Sequence, residues 1–246
     1  MIFSGFVTAA RTLTWLPIPG REAASFASAL PWFPLVGAFL GLALHGAALL
    51  TGQGWPGGTA LLVVAGGTLL TRGLHLDGLA DTADGLFGGR TRERALAIMK
   101  DSRMGAFGGI ALVLALLAKL VAVSRLATLS ATAWLVHAYV ASRTVQAALS
   151  ACMPYAREEG TAGAFVTAAG PRHAVGAIAA AMVILVGLGG PGWRWPAALG
   201  MALCVAILLG AGFRRRVGGI TGDLLGAASE LTETAVLLYG CVLVSP

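Results

Sequence analysis

The chain has 246 residues, 57% hydrophobic and only 11% charged, against roughly 25% charged in a soluble domain, which excludes a water-soluble globule and predicts an integral membrane protein. Its net charge of +6 is spread over loops between apolar runs, which argues for membrane orientation and against nucleic acid as a partner. Cys152, Cys204 and Cys241 lack the paired spacing of a zinc or redox motif and are expected to be packing residues.

Residues 1–17 form an apolar run with Arg11 and Trp15 near its end, stopped early by Pro17 and Pro19, so an N-terminal interfacial or half-inserted helix is expected there. With no basic region before this run and no small-residue cleavage site, a removed signal peptide is not expected. No charged residue occurs between Glu22 and Arg72, enough chain to cross a bilayer twice at about 20 residues per pass. Apolar runs read against turn residues predict spans near 31–50, 58–77, 105–125, 131–150, 174–190, 196–213 and 220–244. The expected fold is therefore all-α, a polytopic transmembrane helix bundle of about seven spans. Without repeats or a polar linker, residues 1–246 read as a single membrane domain.

Gly37 with Gly41, and Gly105 with Gly109, have the spacing of close helix crossings. Alternating loops put Arg11, Arg21, Arg90, Arg92, Arg94, Lys100, Arg103, Arg157, Arg172 and Arg214 to Arg216 on one side, against Arg125 and Arg194 on the other. The positive-inside rule then makes the N-terminus cytoplasmic and both acidic stretches face the cytoplasm. The 152–172 loop is expected to cover the site from that side.

Acidic residues are few here, and most fall in or beside two stretches. In HLDGLADTADGLFGG, Asp77, Asp81 and Asp84 are spaced i, i+4, i+7 and share one helix face. Asp223, Glu230 and Glu233 form a second such face. Carboxylates in hydrocarbon cost at least about 2.5–3.5 kcal/mol each, and a divalent cation offsets that; alternatively, Asp77 and Asp81 merely cap helices in water. Gly85, with Gly78, Gly88 and Gly89, removes side chains where a phosphate has to approach the backbone. In MKDSRMGAFGG, Asp101 stands between Lys100 and Arg103, a group able to hold metal and diphosphate oxygens or, more simply, a basic membrane anchor. His75 either serves as a base or phosphate-orienting group or is satisfied by a backbone carbonyl. Arg143, in mid-span, needs an acid or a substrate phosphate as partner. Lys119 is expected to snorkel to an interface.

HLDGLADTADGLFGG, AIMKDSRMGAFGG and GDLLGAASELTE, with the opening FVTAARTLTWLPIPG and FPLVGAFLG, together resemble the cobalamin synthase family, the adenosylcobinamide-GDP ribazoletransferases. The resemblance spans nearly the whole chain. It implies a Mg2+-dependent transfer in a bacterial cytoplasmic (inner) membrane, with the active site facing the cytoplasm. A ribose hydroxyl of α-ribazole or α-ribazole 5′-phosphate attacks adenosylcobinamide-GDP, and GMP leaves. On that reading Asp77, Asp81, Asp84, Asp101 and Asp223 hold one or two metal ions, and an aspartate or His75 takes the proton. Lys100, Arg103, Arg143 and Gly85 meet phosphate, while Glu230 and Glu233 either complete the metal site or bind substrate. A homo-oligomer is left open. Two rivals share some of these features: a CDP-alcohol phosphotransferase, whose arginine is missing from LADTADG, and an ion-coupled transporter, which needs a path to both faces.

Overall fold

The computed structural model describes residues 3–51, 54–189 and 194–244, apart from the side chains of 189, 194 and 195. Arg194's part in the charge tally, and the outermost residues of the expected 1–246 domain, lie outside the described residues. Among these, the only β pairing is an isolated bridge between Tyr155 and Ile220. All other regular structure is helical.

Helix α1 (Phe3–Leu13) has 11 residues, about 16 Å, and is too short to cross a bilayer. It buries Val7, Ala9, Ala10 and Leu13, while Arg11 folds back to the carbonyls of Ile18 and Gly20 and to Glu22. A 3₁₀ turn over Phe26–Trp32 leads into α2 (Phe33–Thr51), and α3 (Pro56–Leu70) follows with proline in its first turn. The span expected at 58–77 does not run straight. Arg72 and Gly73 both take left-handed dihedrals, φ 56° and 66°, and α4 (Leu74–Gly88) leaves α3 at 87°. Two successive left-handed residues cannot continue a right-handed helix, so the chain turns there.

Next come α5 (Arg92–Ile98), α6 (Ala106–Thr128), α7 (Trp134–Cys152) and the single turn α8 (Gly163–Val166). The chain closes with α9 (Pro171–Gly189), α10 (Arg194–Val217) and α11 (Gly222–Val244). Among the described residues, five helical stretches are long and apolar enough to span a membrane, or six if α3 and α4 form one broken span. The remaining expected span, 131–150, is α7. It carries Ser142, Arg143, Thr144, Gln146 and Ser150, all buried, and packs against α2, α9, α10 and α11. A helix shielded by other helices can be polar, whereas α6, α9 and α10 expose Val113, Leu117, Val183 and Leu208. Polar inside and apolar outside is the arrangement a lipid solvent selects. Cys152 and Cys204 are exposed, not packed inside as expected.

Gly37 and Gly41 form a close crossing of α2 on α7: an added Cβ at Gly41 would lie 2.7 Å from the Val136 Cα. Gly105 and Gly109 do not form one. Gly105 faces the Asp84 carboxylate, and Gly109 has only the tip of Met104 nearby, at 4.0 Å.

Candidate active site

Helices α4, α6 and α11 pack on one another, and α4 approaches α11 closely where Gly78 faces Asp223 and Gly226. A Cβ on Gly78 would come within 2.8 Å of the Asp223 carbonyl oxygen and 3.2 Å of the Gly226 Cα. This contact sets the HLDG segment beside the TGDLLG segment. Thr221 caps α11 by accepting from the Leu224 N–H at 3.2 Å, which places Asp223 in the first turn, where the helix dipole favours a carboxylate.

Exposed Asp77 and half-buried Asp81 thereby come within electrostatic reach of Asp223. The like charges that act on Asp81 are Asp77, Asp223 and Asp84, opposed by Arg157. Arg157 comes from the loop after α7 and reaches Asp223 at 2.7 Å. The contact is ionic and off-axis, since the guanidinium Nε and Nη2 have no aligned acceptor although both are buried. The loop is pinned there by Ala156 N–H donating to Ile220 O and by Arg92, which donates to the carbonyls of Val217 and Ala156. Arg216 likewise donates to the carbonyls of Leu86, Gly89 and Arg90. The basic loops therefore gather at the end of the bundle that holds these carboxylates. Three carboxylates against one arginine leave excess negative charge lined with hard oxygen donors, which suits Mg2+ or another hard cation. Among the described residues no three His, Cys, Asp or Glu side chains converge into one coordination shell.

The Asp223–Arg157 pair has one member on the wall of each of two cavities. One, of about 160 Å³, is lined by His75, Asp77, Gln146, Ser150, Phe165 and Asp223 among others. His75 is only 1% exposed and neither ring nitrogen has a hydrogen-bond partner, and the same holds for Gln146 Oε1. The other, of about 500 Å³, is lined by Leu96, Lys100, Arg157, Glu158 and Glu159.

Seven residues expected in the site are placed elsewhere: Asp84, Gly85, Asp101, Arg103, Arg143, Glu230 and Glu233. Both Asp84 oxygens are engaged by the start of α6: the Gly105 N–H donates to Oδ2 at 2.7 Å and the Gly108 N–H to Oδ1 at 2.9 Å. Asp84 is thus a helix cap supplied from outside the helix, and the glycines of GAFGG make room for it. Asp101 and Arg103 close on each other through Nε–Oδ1 (3.0 Å) and Nη2–Oδ2 (2.7 Å) bonds at the surface, separate from Asp77, Asp81 and Asp223. The bonded guanidinium holds the Asp101 carboxyl down at about 2. Gly85 faces the Met99 side chain and the Ala95 carbonyl of α5, so it serves packing and not phosphate approach.

Glu230 and Glu233 lie two to three turns further along α11, in a separate buried network. Lys119 Nζ donates to Glu230 Oε2 at 2.5 Å and to Glu233 Oε1 at 2.6 Å. Arg143 Nη1 reaches Ser229 at 2.5 Å and Glu233 at 3.4 Å, with its guanidinium carbon 5.2 Å from the Tyr139 ring centroid. Arg143 does have an acid partner, and its substrate role gives way to a neutral set of two cations and two anions. Lys119 does not snorkel. It lies nine residues, about 14 Å, from the nearer end of α6, further than a lysine stem reaches, a signal present in the sequence. Arg157 and Gln146 also escaped the sequence reading. Gln146, one turn after Arg143 on the same helix, could have been found by that spacing, whereas nothing marked Arg157 within its loop.

Comparison with known proteins agrees with the motif resemblance. A family model described as Cobalamin-5-phosphate synthase matches residues 5–242. An adenosylcobinamide-GDP ribazoletransferase from Chlorobium phaeobacteroides (strain BS1) is 47% identical over 243 residues, 97% of this chain and 98% of its own. The protein of that name from Chlorobaculum tepidum is 48% identical over 248 residues, covering 98% and 96%. One from Citrobacter koseri is 41% identical over 235 residues, covering 91% and 93%. No solved structure matches the chain significantly.

Proposed function

The chain belongs to the cobalamin-5-phosphate synthase family, and from that premise we propose that it carries out the reaction its relatives are named for, joining adenosylcobinamide-GDP to α-ribazole or α-ribazole 5′-phosphate. The riboside hydroxyl oxygen forms a bond to the cobinamide-bearing phosphorus, the bridging P–O bond breaks, and GMP departs with that bridging oxygen. The hydroxyl proton passes to a neighbouring base. The observation that carries this reading is the Gly78–Gly226 contact, which sets Asp77 and Asp81 near Asp223 and its partner Arg157, with Asp223 lining one cavity and Arg157 another. A displacement at phosphorus needs an incoming and a leaving group on different sides, with charge neutralised between them.

Asp77, Asp81 and Asp223 are the residues that would hold Mg2+, a cation that ordinarily takes one or two carboxylates and completes its shell with water and phosphate oxygens. When bound, Mg2+ would neutralise charge on the diphosphate. The Arg157 guanidinium, with Lys100 on the same cavity, meets the departing GMP phosphate, the task expected of Arg103, which is tied to Asp101. Asp81, crowded by like charges, accepts the nucleophile's proton, and His75 orients the hydroxyl. We place the protein in the bacterial cytoplasmic membrane with this end facing the cytoplasm, because the loops gathered around it carry Arg90, Arg92, Arg94, Lys100, Arg157 and Arg214 to Arg216. Neither the CDP-alcohol phosphotransferase nor the transporter gains a supporting observation.

The test is product analysis with the protein in nanodiscs, given adenosylcobinamide-GDP, α-ribazole 5′-phosphate and Mg2+. Stoichiometric GMP and cobalamin 5′-phosphate, lost on chelation, are expected. Hydrolysis of the donor without a joined product, or turnover indifferent to EDTA, would overturn the reaction or its metal.

A further inference from the structure

The cavity of about 160 Å³ beside Asp77 and Asp223 has two chemically different walls. Phe33 and Phe165 meet edge-to-face with centroids 5.9 Å apart, and Leu13 and Leu225 extend the apolar lining. The polar lining includes His75 and Gln146, buried to 1% and 5% exposure. Gln146 Nε2 donates to the Leu225 carbonyl at 3.3 Å, which fixes the amide and leaves Oε1 as an open acceptor. An imidazole offers one N–H and one lone pair, and both His75 nitrogens are open. Buried polar atoms without partners are uncommon, and their cost is relieved by a ligand that supplies the partners.

We propose that this cavity is the seat of the acceptor riboside, with its planar, mostly apolar base against Phe33 and Phe165, one ribose hydroxyl accepting from the His75 N–H and a second donating to Gln146 Oε1. This rests on the reaction proposed above and adds the substrate it takes at this place and a specificity residue, Gln146. The other ligands of that reaction fit worse. A guanine base would leave its rim of donors and carbonyls unpaired against the apolar wall. A corrinoid is far too large for the space, and the cations a diphosphate needs, Lys100 and Arg157, line the other cavity.

Two variants in nanodiscs test this. Gln146→Leu removes the acceptor, and Ala162→Leu narrows the cavity from its half-buried rim. Binding of α-ribazole alone is measured by equilibrium dialysis, and KM for each substrate by turnover. The expected result in both variants is α-ribazole affinity weakened about tenfold and its KM raised about tenfold, with the KM for adenosylcobinamide-GDP held within about twofold. Unchanged α-ribazole binding in either variant with a wild-type melting temperature, or an equal rise in both KM values, overturns the assignment. Wild-type protein that binds α-ribazole with these variant losses yet forms no joined product would sink the reaction and leave the cavity's ligand standing. Product formation with α-ribazole binding untouched by the substitutions would sink the cavity alone.

Discussion

At the scale of single residues, the aspartates of one motif divide by what their oxygens already touch. Asp81 has no backbone donor assigned to it and is surrounded by other carboxylates, whereas both oxygens of Asp84 cap α6. Asp81→Asn is therefore expected to lower kcat by about a hundredfold or more with an unchanged melting temperature, as for removal of a group acting at developing charge. Asp84→Ala should cost stability instead, about 1–2 kcal/mol for a lost cap, seen as a lower melting temperature in detergent with both KM values retained. If Asp84→Ala keeps its stability and loses turnover, the two roles have been assigned the wrong way round. Asp101 gives a pH expectation. Its folded-state pKa is depressed to about 2 by Arg103, so whatever its pairing contributes is fully present above the unfolded value and lost only as pH falls toward 2. Replacing Asp101 with Asn should leave the pH–rate profile between about pH 5 and 9 unmoved.

At the scale of elements, the site is made by a helix contact. Gly78→Ala inserts a methyl group 2.8 Å from the Asp223 carbonyl, where only backbone can give way, so α4 must shift from α11. The expected cost is about 1–3 kcal/mol, with a larger fall in kcat than a surface substitution brings, because Asp77 and Asp81 move relative to Asp223. Melting temperature and turnover measured together would expose the alternative, in which stability falls and kcat stands. Helix periodicity had already put the aspartates of α4 on one face and marked its glycines, so the acidic segments were legible in the sequence. Periodicity says nothing about partners across helices. It could not show that Gly78 meets Gly226, that GAFGG accommodates Asp84, or that Arg157 closes on Asp223 from a loop. The break at Arg72–Gly73 had a mark in the sequence, since Thr71, Arg72 and Gly73 interrupt the apolar run there, but only the dihedral angles turn that interruption into a bend.

At the scale of the whole molecule, the interior has two polar layers separated along α11, one around Asp223 and one around Glu230 and Glu233. The deeper layer balances two cations with two anions out of water, so removing one member strands its partners. Glu233→Gln leaves Lys119 with one carboxylate and Arg143 with none, and about 3–5 kcal/mol of stability should be lost, as for a broken buried pair. Because that network stands two to three turns from Asp223, the KM values should change little; a selective loss of α-ribazole or donor binding would return Glu233 to the substrate site. On the proposed function the outer layer faces the compartment that supplies its substrates, and the cationic loops around it predict the cytoplasm. Cysteine labelling of intact cells decides this, once Cys152, Cys204 and Cys241 are replaced. A cysteine at Glu159, in the loop beside Lys100 and Arg157, should stay protected from an impermeant maleimide until the membrane is opened. One at Ser130, just past the far end of α6, should react at once. The reverse pattern would turn the bundle over, put Arg157 and its carboxylates outside, and remove the active site from the side where a nucleotide-activated donor is made.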